Sequence, residues 1–188
     1  GGLPTRNPEE LLAVFTLLTW AAAALNDAGR GTPKEHLAAI ERIAPTLRTL
    51  RHSDGGLARF HGGGRGSEGW LDHALAASKV RAAPSDGLSM GYARLSAGRT
   101  SVIIDAAVPP SGPASANAHA STLAFELTSG RRPLIVNCGS GASFSKGLPK
   151  FRHRSSRGAC SARLWAAAAC LCPLNGARDR PCARAVSQ

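Results

Sequence analysis

The chain has 188 residues, is 43% hydrophobic and 19% charged, and carries a formal net charge of +11. That length holds one full domain or pieces of two, and the composition excludes wholesale disorder. The charge is lopsided. Residues 1–145 hold 14 basic and 11 acidic side chains, whereas residues 146–188 hold 9 basic and 1 acidic, Asp179. The basicity belongs to the tail and does not mark the whole chain as a nucleic-acid binder.

The opening Gly1-Gly2-Leu3-Pro4 has neither an initiator Met nor a secretory leader pattern, so a start further upstream is expected. The longest apolar run, Leu11 to Leu25, is 15 residues and contains Thr16 and Thr19. A membrane span needs roughly 20 residues, so the run predicts a buried helix and no span.

Residues 1–51 read as two helices. Asn7 suits the cap of the first, Pro8 the first helical position, and Glu10 the third position of a capping box. This helix is expected to run to about Asp27, stop at Gly29, and be buried on more than one side. Thr32-Pro33-Lys34-Glu35 repeats the start signal. Leu37, Ile40, Ile43, Ala44, Leu47 and Leu50 then form one apolar stripe, with Pro45 expected to kink it. A hairpin of two helices buries little alone, so more helices upstream are expected.

Residues 52–85 form a Gly-rich link. Asp54-Gly55-Gly56 and His61-Gly62-Gly63-Gly64-Arg65-Gly66 mark turns, and a short helix is expected from about Glu68 to Ser78. Four strand-like runs follow: Gly91–Ser96, Thr100–Ala106, Ser121–Leu127 and Pro133–Cys138. Their regular spacing suggests an antiparallel sandwich over residues 86–145. Residues 146–188 fit no pattern. Four of the five cysteines (Cys160, Cys170, Cys172 and Cys182) lie there without a Cys-x-x-Cys pair, which argues against a zinc knuckle. The Gly62–Gly66 run lacks the Gly-Lys-Ser/Thr ending of a phosphate loop, and nothing marks a serine nucleophile.

The stretch Asn117-Ala118-His119-Ala120-Ser121-Thr122-Leu123-Ala124-Phe125-Glu126-Leu127, followed by Gly130-Arg131-Arg132-Pro133-Leu134-Ile135-Val136-Asn137-Cys138-Gly139, resembles the heparinase II/III-like polysaccharide lyases. Arg6-Asn7-Pro8 and Arg51–Phe60 are similar to that family's toroid helix start and its toroid–sandwich link. The residue-level resemblance ends after Phe144. It implies an α+β multidomain fragment: a helical hairpin from an (α/α) toroid, then a partial antiparallel β-sandwich. The end of the resemblance, the loss of acids and the clustered Cys, Arg and Ala suggest that residues 146–188 are a basic, Cys-rich tail, irregular or out of the coding frame.

The resemblance also implies chemistry: β-elimination in uronate-containing glycans in the bacterial cell envelope or periplasm. A base removes the proton beside the carboxylate, and donors hold the developing charge. Asn117 and His119 occupy the catalytic-face positions. Asn117 replaces a His, and an amide can donate a hydrogen bond but cannot carry a proton. His119 is the sole retained zinc-ligand position: Asn137 stands where the family has a ligating Asp, and the downstream ligand His would lie beyond the point where the resemblance ends; Ser121 replaces the Asp that follows the His pair. No metal is therefore expected, although the intact family fold can hold zinc. His52, Arg59, His61 and Arg65 are candidates for lining a substrate cleft, with a solvated loop as the plainer reading. For His119 the plainer reading is a histidine satisfied by backbone, and Tyr92 is expected to pack rather than react. The expected partner is an acidic polysaccharide, with no nucleic acid. The alternative function is a non-catalytic glycan-binding or scaffold module with an eroded site.

Overall fold

The computed structural model of the chain describes residues 1–81, 87–118, 121–137 and 169–171. It contains helices α1 (Pro8–Asp27), α2 (Lys34–Thr49) and α3 (Trp70–Ala77), then strands β1 (Tyr92–Ala97), β2 (Thr100–Asp105), β3 (Phe125–Ser129) and β4 (Arg132–Asn137). Three residues of the tail, Ala169–Leu171, form β5. The strands make one antiparallel sheet in the order β1-β2-β3-β4-β5. Helices and sheet are thus segregated along the chain, an α+β arrangement. Cys138 and the rest of the tail lie outside the described residues.

Asn7 caps α1 as expected: its Oδ1 accepts from the backbone N–H of Glu9 at 2.9 Å and Glu10 at 3.2 Å. The capping box does not close in the expected way. The Glu10 carboxylate accepts from Thr5 Oγ1 at 2.6 Å. The helix ends at Asp27, and Gly29 follows with φ +67°, the left-handed geometry that ends helices.

Burial of α1 departs from expectation. Leu11, Leu12 and Phe15 are buried, but Leu17 is 62% and Trp20 59% exposed. Packing on α2 and α3 covers one side of α1, and apolar residues on the other side stay open. By length and composition α1 could cross a membrane, yet 39% of its most apolar window is buried in this fold.

The start of α2 also differs. Pro33 stands at its cap with no side-chain bond, and Thr32 Oγ1 instead reaches Ala22 O and Asn26 Oδ1 on α1, each at 3.4 Å. The helix continues through Pro45, and Thr49 Oγ1 donates to Pro45 O at 3.1 Å. Its stripe of Ile40, Ile43, Ala44, Leu47 and Leu50 is buried; Leu37, at the edge, is not.

The third strand begins four residues later than its sequence suggests. Ser121 is buried in a turn, Leu123 has φ +64°, and Leu123 N–H donates to Asp105 O at 2.7 Å. A branched-at-γ residue at positive φ cannot continue a strand, so pairing starts only at Phe125. Phe125–Ser129 and Arg132–Asn137 then pair as one hairpin, with Leu127 opposite Ile135.

One core joins helices and sheet: Leu11, Phe15, Leu47, Leu57, Phe60, Tyr92 and Ile103 all belong to it. The sheet's two faces differ in kind. Tyr92, Arg94, Ser101, Ile103, Asp105, Glu126 and Thr128 share the parity that faces the helical half. The opposite parity carries Leu95, Val102, Ile104, Phe125, Leu127 and Ile135. The face toward the helices is therefore the polar one. These burials predict that Leu47→Ala lowers unfolding free energy by about 2–5 kcal/mol, whereas Leu17→Ala changes it by about 0.5 kcal/mol or less, read by urea denaturation.

Candidate functional site

Two carboxylates on the polar face of the sheet organise everything near them. Asp105 ends β2 and is fully buried. Arg6 forms an ion pair with it, and Ser121 Oγ donates to its Oδ2 at 2.5 Å. His61 Nε2 lies 3.3 Å from the same oxygen and 3.3 Å from Ser121 Oγ. Burial alone would raise the carboxyl pKa. The hydrogen bonds from His61, Ser121 and Arg6, with the Arg6 charge, outweigh it and hold Asp105 below its ordinary value.

Arg6 is held as tightly. Its guanidinium also donates to Met90 O at 3.0 Å, Gly91 O at 3.1 Å and Val108 O at 2.8 Å. Its backbone has φ +52°, and its carbonyl accepts from Tyr92 OH at 2.6 Å. The guanidinium stands 4.7 Å from the centre of the Tyr92 ring. That ring stacks on Phe60 at 4.8 Å. Burial pushes the Tyr92 phenol well above its ordinary value. The single tyrosine is thus a packed, bonded side chain, and its proton is committed to a carbonyl.

Glu126, in β3, is the second carboxylate. His52 Nε2 lies 2.7 Å from its Oε2, and Asn137 N–H donates to Oε1 at 2.9 Å. Arg59 Nη1 stands 3.7 Å from Oε1. His52 Nδ1 lies 3.0 Å from Thr128 Oγ1, so both ring nitrogens have a partner. The His52 backbone N–H is used too, donating to Gly56 O at 2.8 Å.

The candidate cleft residues therefore fall into distinct places. His52 and His61 are buried and bonded to carboxylates rather than lying in a solvated loop. Arg59 is partly exposed beside Glu126, and Arg65 is exposed, 3.3 Å from Asp54. Asn117 lies against Gly62, where a Cβ would stand 2.8 Å from Asn117 Cβ. The next two glycines reach the start of α1: Gly64 N–H donates to Glu9 Oε2 at 2.7 Å, and Gly63 abuts Asn7. Asn117, the glycine turn and the capped end of α1 thus form one face. His119 lies outside the described residues.

Ser121, His61 and Asp105 are not a nucleophilic triad. The Ser121 hydroxyl donates to the carboxylate rather than to the imidazole, and all three groups are buried. Nor do these donors suit zinc. Ser121 is engaged with Asp105, Asn137 offers a neutral amide, and no group of three His, Cys, Asp or Glu side chains converges among the described residues.

Sequence reading missed Asp105, Glu126 and the role of Arg6. The signal was present: each acid falls at a helix-facing parity of a short β-branched or aromatic strand, where an acid needs partners.

Asp105 is held below its ordinary value of 3.8, so its contribution is present above that value and lost as pH falls through the folded value. Stability to urea should drop on acidification below about pH 4, and Asp105→Asn should remove that part of the acid limb. At neutral pH the same variant should lose about 3–5 kcal/mol, because Arg6 is left buried without its counter-charge. Gly62 has φ +87° and no room for a methyl group. Gly62→Ala should cost about 1–3 kcal/mol and shift the Asn117 amide resonances, while Gly98→Ala, with open space around it, costs less.

Residues 79–163 match the family described as Heparinase II/III-like, C-terminal. The match continues past Phe144, where the residue-level resemblance ends. Over 147 residues, 74% of this chain, the sequence is 39% identical to FtsZ-localized protein C of Caulobacter vibrioides (strain NA1000 / CB15N). That stretch is 24% of the relative, so the chain spans about a quarter of the length of the curated protein it matches. No solved structure matches the chain. The segment 79–163, which includes the β1–β4 meander, is thus similar to the heparinase II/III-like C-terminal domain.

Proposed function

We propose that this chain is part of a heparinase II/III-like protein whose Asn117 face binds an acidic, uronate-containing glycan without cleaving it. In this reading α1 and α2 are the closing helices of an (α/α) toroid, and β1–β4 open a β-sandwich. The apolar sheet face supports the sandwich. Val102, Ile104, Leu127 and Ile135 are only half-buried and Leu95 is 64% exposed, as suits a face that takes a second sheet.

One observation carries the binding reading. His61, next to the Gly62 that meets Asn117, is already engaged with Asp105, and the Tyr92 phenol behind it is engaged with Arg6 O. Asn117 itself can donate to a carboxylate but cannot accept and return a proton. Among the described residues, this face then offers hydrogen bonds from Asn117, and its carboxylate, Glu9, is engaged with the Gly64 N–H. The relative's name places that protein with FtsZ, and a scaffold role for this fold agrees with a non-catalytic face.

A second reading rests on the family match. The longer protein could be a lyase in the cell envelope, cleaving by β-elimination with groups contributed from elsewhere in its sequence. Titrating the chain with a panel of acidic polysaccharides separates the two. Binding by calorimetry with no rise in unsaturated-uronate absorbance supports the first reading. A sustained rise overturns it in favour of the second. Asn117→Ala or His119→Ala should weaken binding about tenfold, the loss of one charged hydrogen bond.

A further inference from the structure

Away from the Asn117 face, the end of α2 meets β1 and α3 around a cavity of about 430 Å³ lined by Arg48, Arg51, His52, Ser53, Asp72, Leu75 and Arg94. Three guanidiniums and one carboxylate meet there. Asp72 answers only one of them: Arg51 engages it in a two-bond fork, Nε at 2.8 Å and Nη2 at 3.0 Å. Arg94 Nη1 donates to Thr49 O at 3.1 Å and Arg51 O at 2.5 Å, holding the carbonyl end of α2. Arg94 Nε donates to Ser96 Oγ at 3.2 Å. Arg48 Nη2 donates to Val80 O at 2.6 Å.

These contacts leave donors over. Among the described residues, Arg94 Nη2 and Arg48 Nε meet no acceptor, and Arg48 Nη1 is enclosed without one. A buried donor without a partner calls for a water or an ion. The charge balance says which. Burial, and then the nearby Arg51 charge, lower the Arg94 pKa from its ordinary value. An anion between the two guanidiniums offsets both effects. Capping of α2 alone would need only Arg94 Nη1.

We propose that this cavity is an oxyanion site, in which Arg48, Arg51 and Arg94 bind one phosphate or sulfate group. Guanidinium donors from α2, the turn after it and β1 suit the several oxygens of such a group better than a single ammonium would. The site is separate from the Asn117 face and does not depend on the glycan reading. The group has two sources: a free inorganic anion, or a sulfate ester on a polysaccharide.

Calorimetry of the full chain with inorganic phosphate, at constant ionic strength in chloride, is the test. Saturable binding to one site per chain is expected, weakened about tenfold or more in Arg48→Gln and Arg51→Gln and unchanged in the exposed Arg132→Gln. No saturable heat at millimolar phosphate, or equal binding by all variants, overturns the proposal. Where the glutamine variants fail to fold, the wild-type Arg Nε–Hε resonances decide. Shifts at Arg48, Arg51 and Arg94 on adding phosphate support the site, and their absence overturns it. Competition by a sulfated polymer, but not by a uronate-only polymer, assigns the ester source. Phosphate binding that neither polymer displaces supports the site with a free anion as its ligand.

Discussion

Two buried carboxylates hold the sheet to the helices. Asp105 and Glu126 sit on adjacent strands, and each takes one histidine and one arginine from the N-terminal third of the chain. Arg6 and His61 go to Asp105, while His52 and Arg59 go to Glu126. An apolar interface would tolerate sliding; this one does not. A carboxylate with several directed donors has a single satisfied arrangement, and any other leaves a charge buried without a partner. The apolar core around Phe15, Leu47, Phe60 and Tyr92 supplies the driving force for docking, and the carboxylates set its register. The Gly-rich link serves that register. It brings His52, Arg59 and His61 to the sheet within ten residues, with Gly55 and Gly62 at positive φ making turns that other residues resist.

The polarity of this interface explains an otherwise odd distribution of strand residues. In a sheet with one covered face, the apolar side chains belong against the helices. Here they stand on the other side, with Val102 opposite Leu127 and Ile104 opposite Phe125. This sheet directs polar bonds toward its helices and keeps its aliphatic side chains on the far face, where Leu95 is 64% exposed. The same logic applies to α1, where Leu17 and Trp20 stay exposed while Leu11 and Phe15 are packed.

Elements whose signals are local were legible in the sequence. The Asn7 cap, the stop at Gly29, the stripe of α2 and the β3–β4 hairpin all depend on neighbours within a few positions. What failed depended on distance. Glu10 looked like a capping-box partner, but the side chain finds Thr5 instead. Ser121 looked like the start of a strand, but Asp105, far off in sequence, draws it into a turn. His52 and His61 looked like loop residues because the glycines around them mark turns. Nothing local says that those turns press against a sheet carrying two acids. The Arg48, Arg51 and Arg94 cavity is similar, since Arg94 reaches it from a strand more than forty residues away.

The division of labour among the histidines bears on what chemistry the fold can support. A general base must be free to take a proton and give it up while the rest of the site stands still. His52 and His61 meet the opposite demand. His52 is held between Glu126 Oε2 at 2.7 Å and Thr128 Oγ1 at 3.0 Å, so both ring nitrogens are engaged. His61 shares its Nε2 with the very oxygen that receives the Ser121 proton. A change of charge at either ring would be felt by the carboxylates that keep the two halves together. Histidines bonded in this way are poorly placed as proton shuttles because their ring nitrogens are engaged in holding the fold. Asn117, beside Gly62 and the capped start of α1, carries no such duty and no titratable proton. The face it occupies can therefore present hydrogen bonds to an anionic partner without disturbing the interface beneath it.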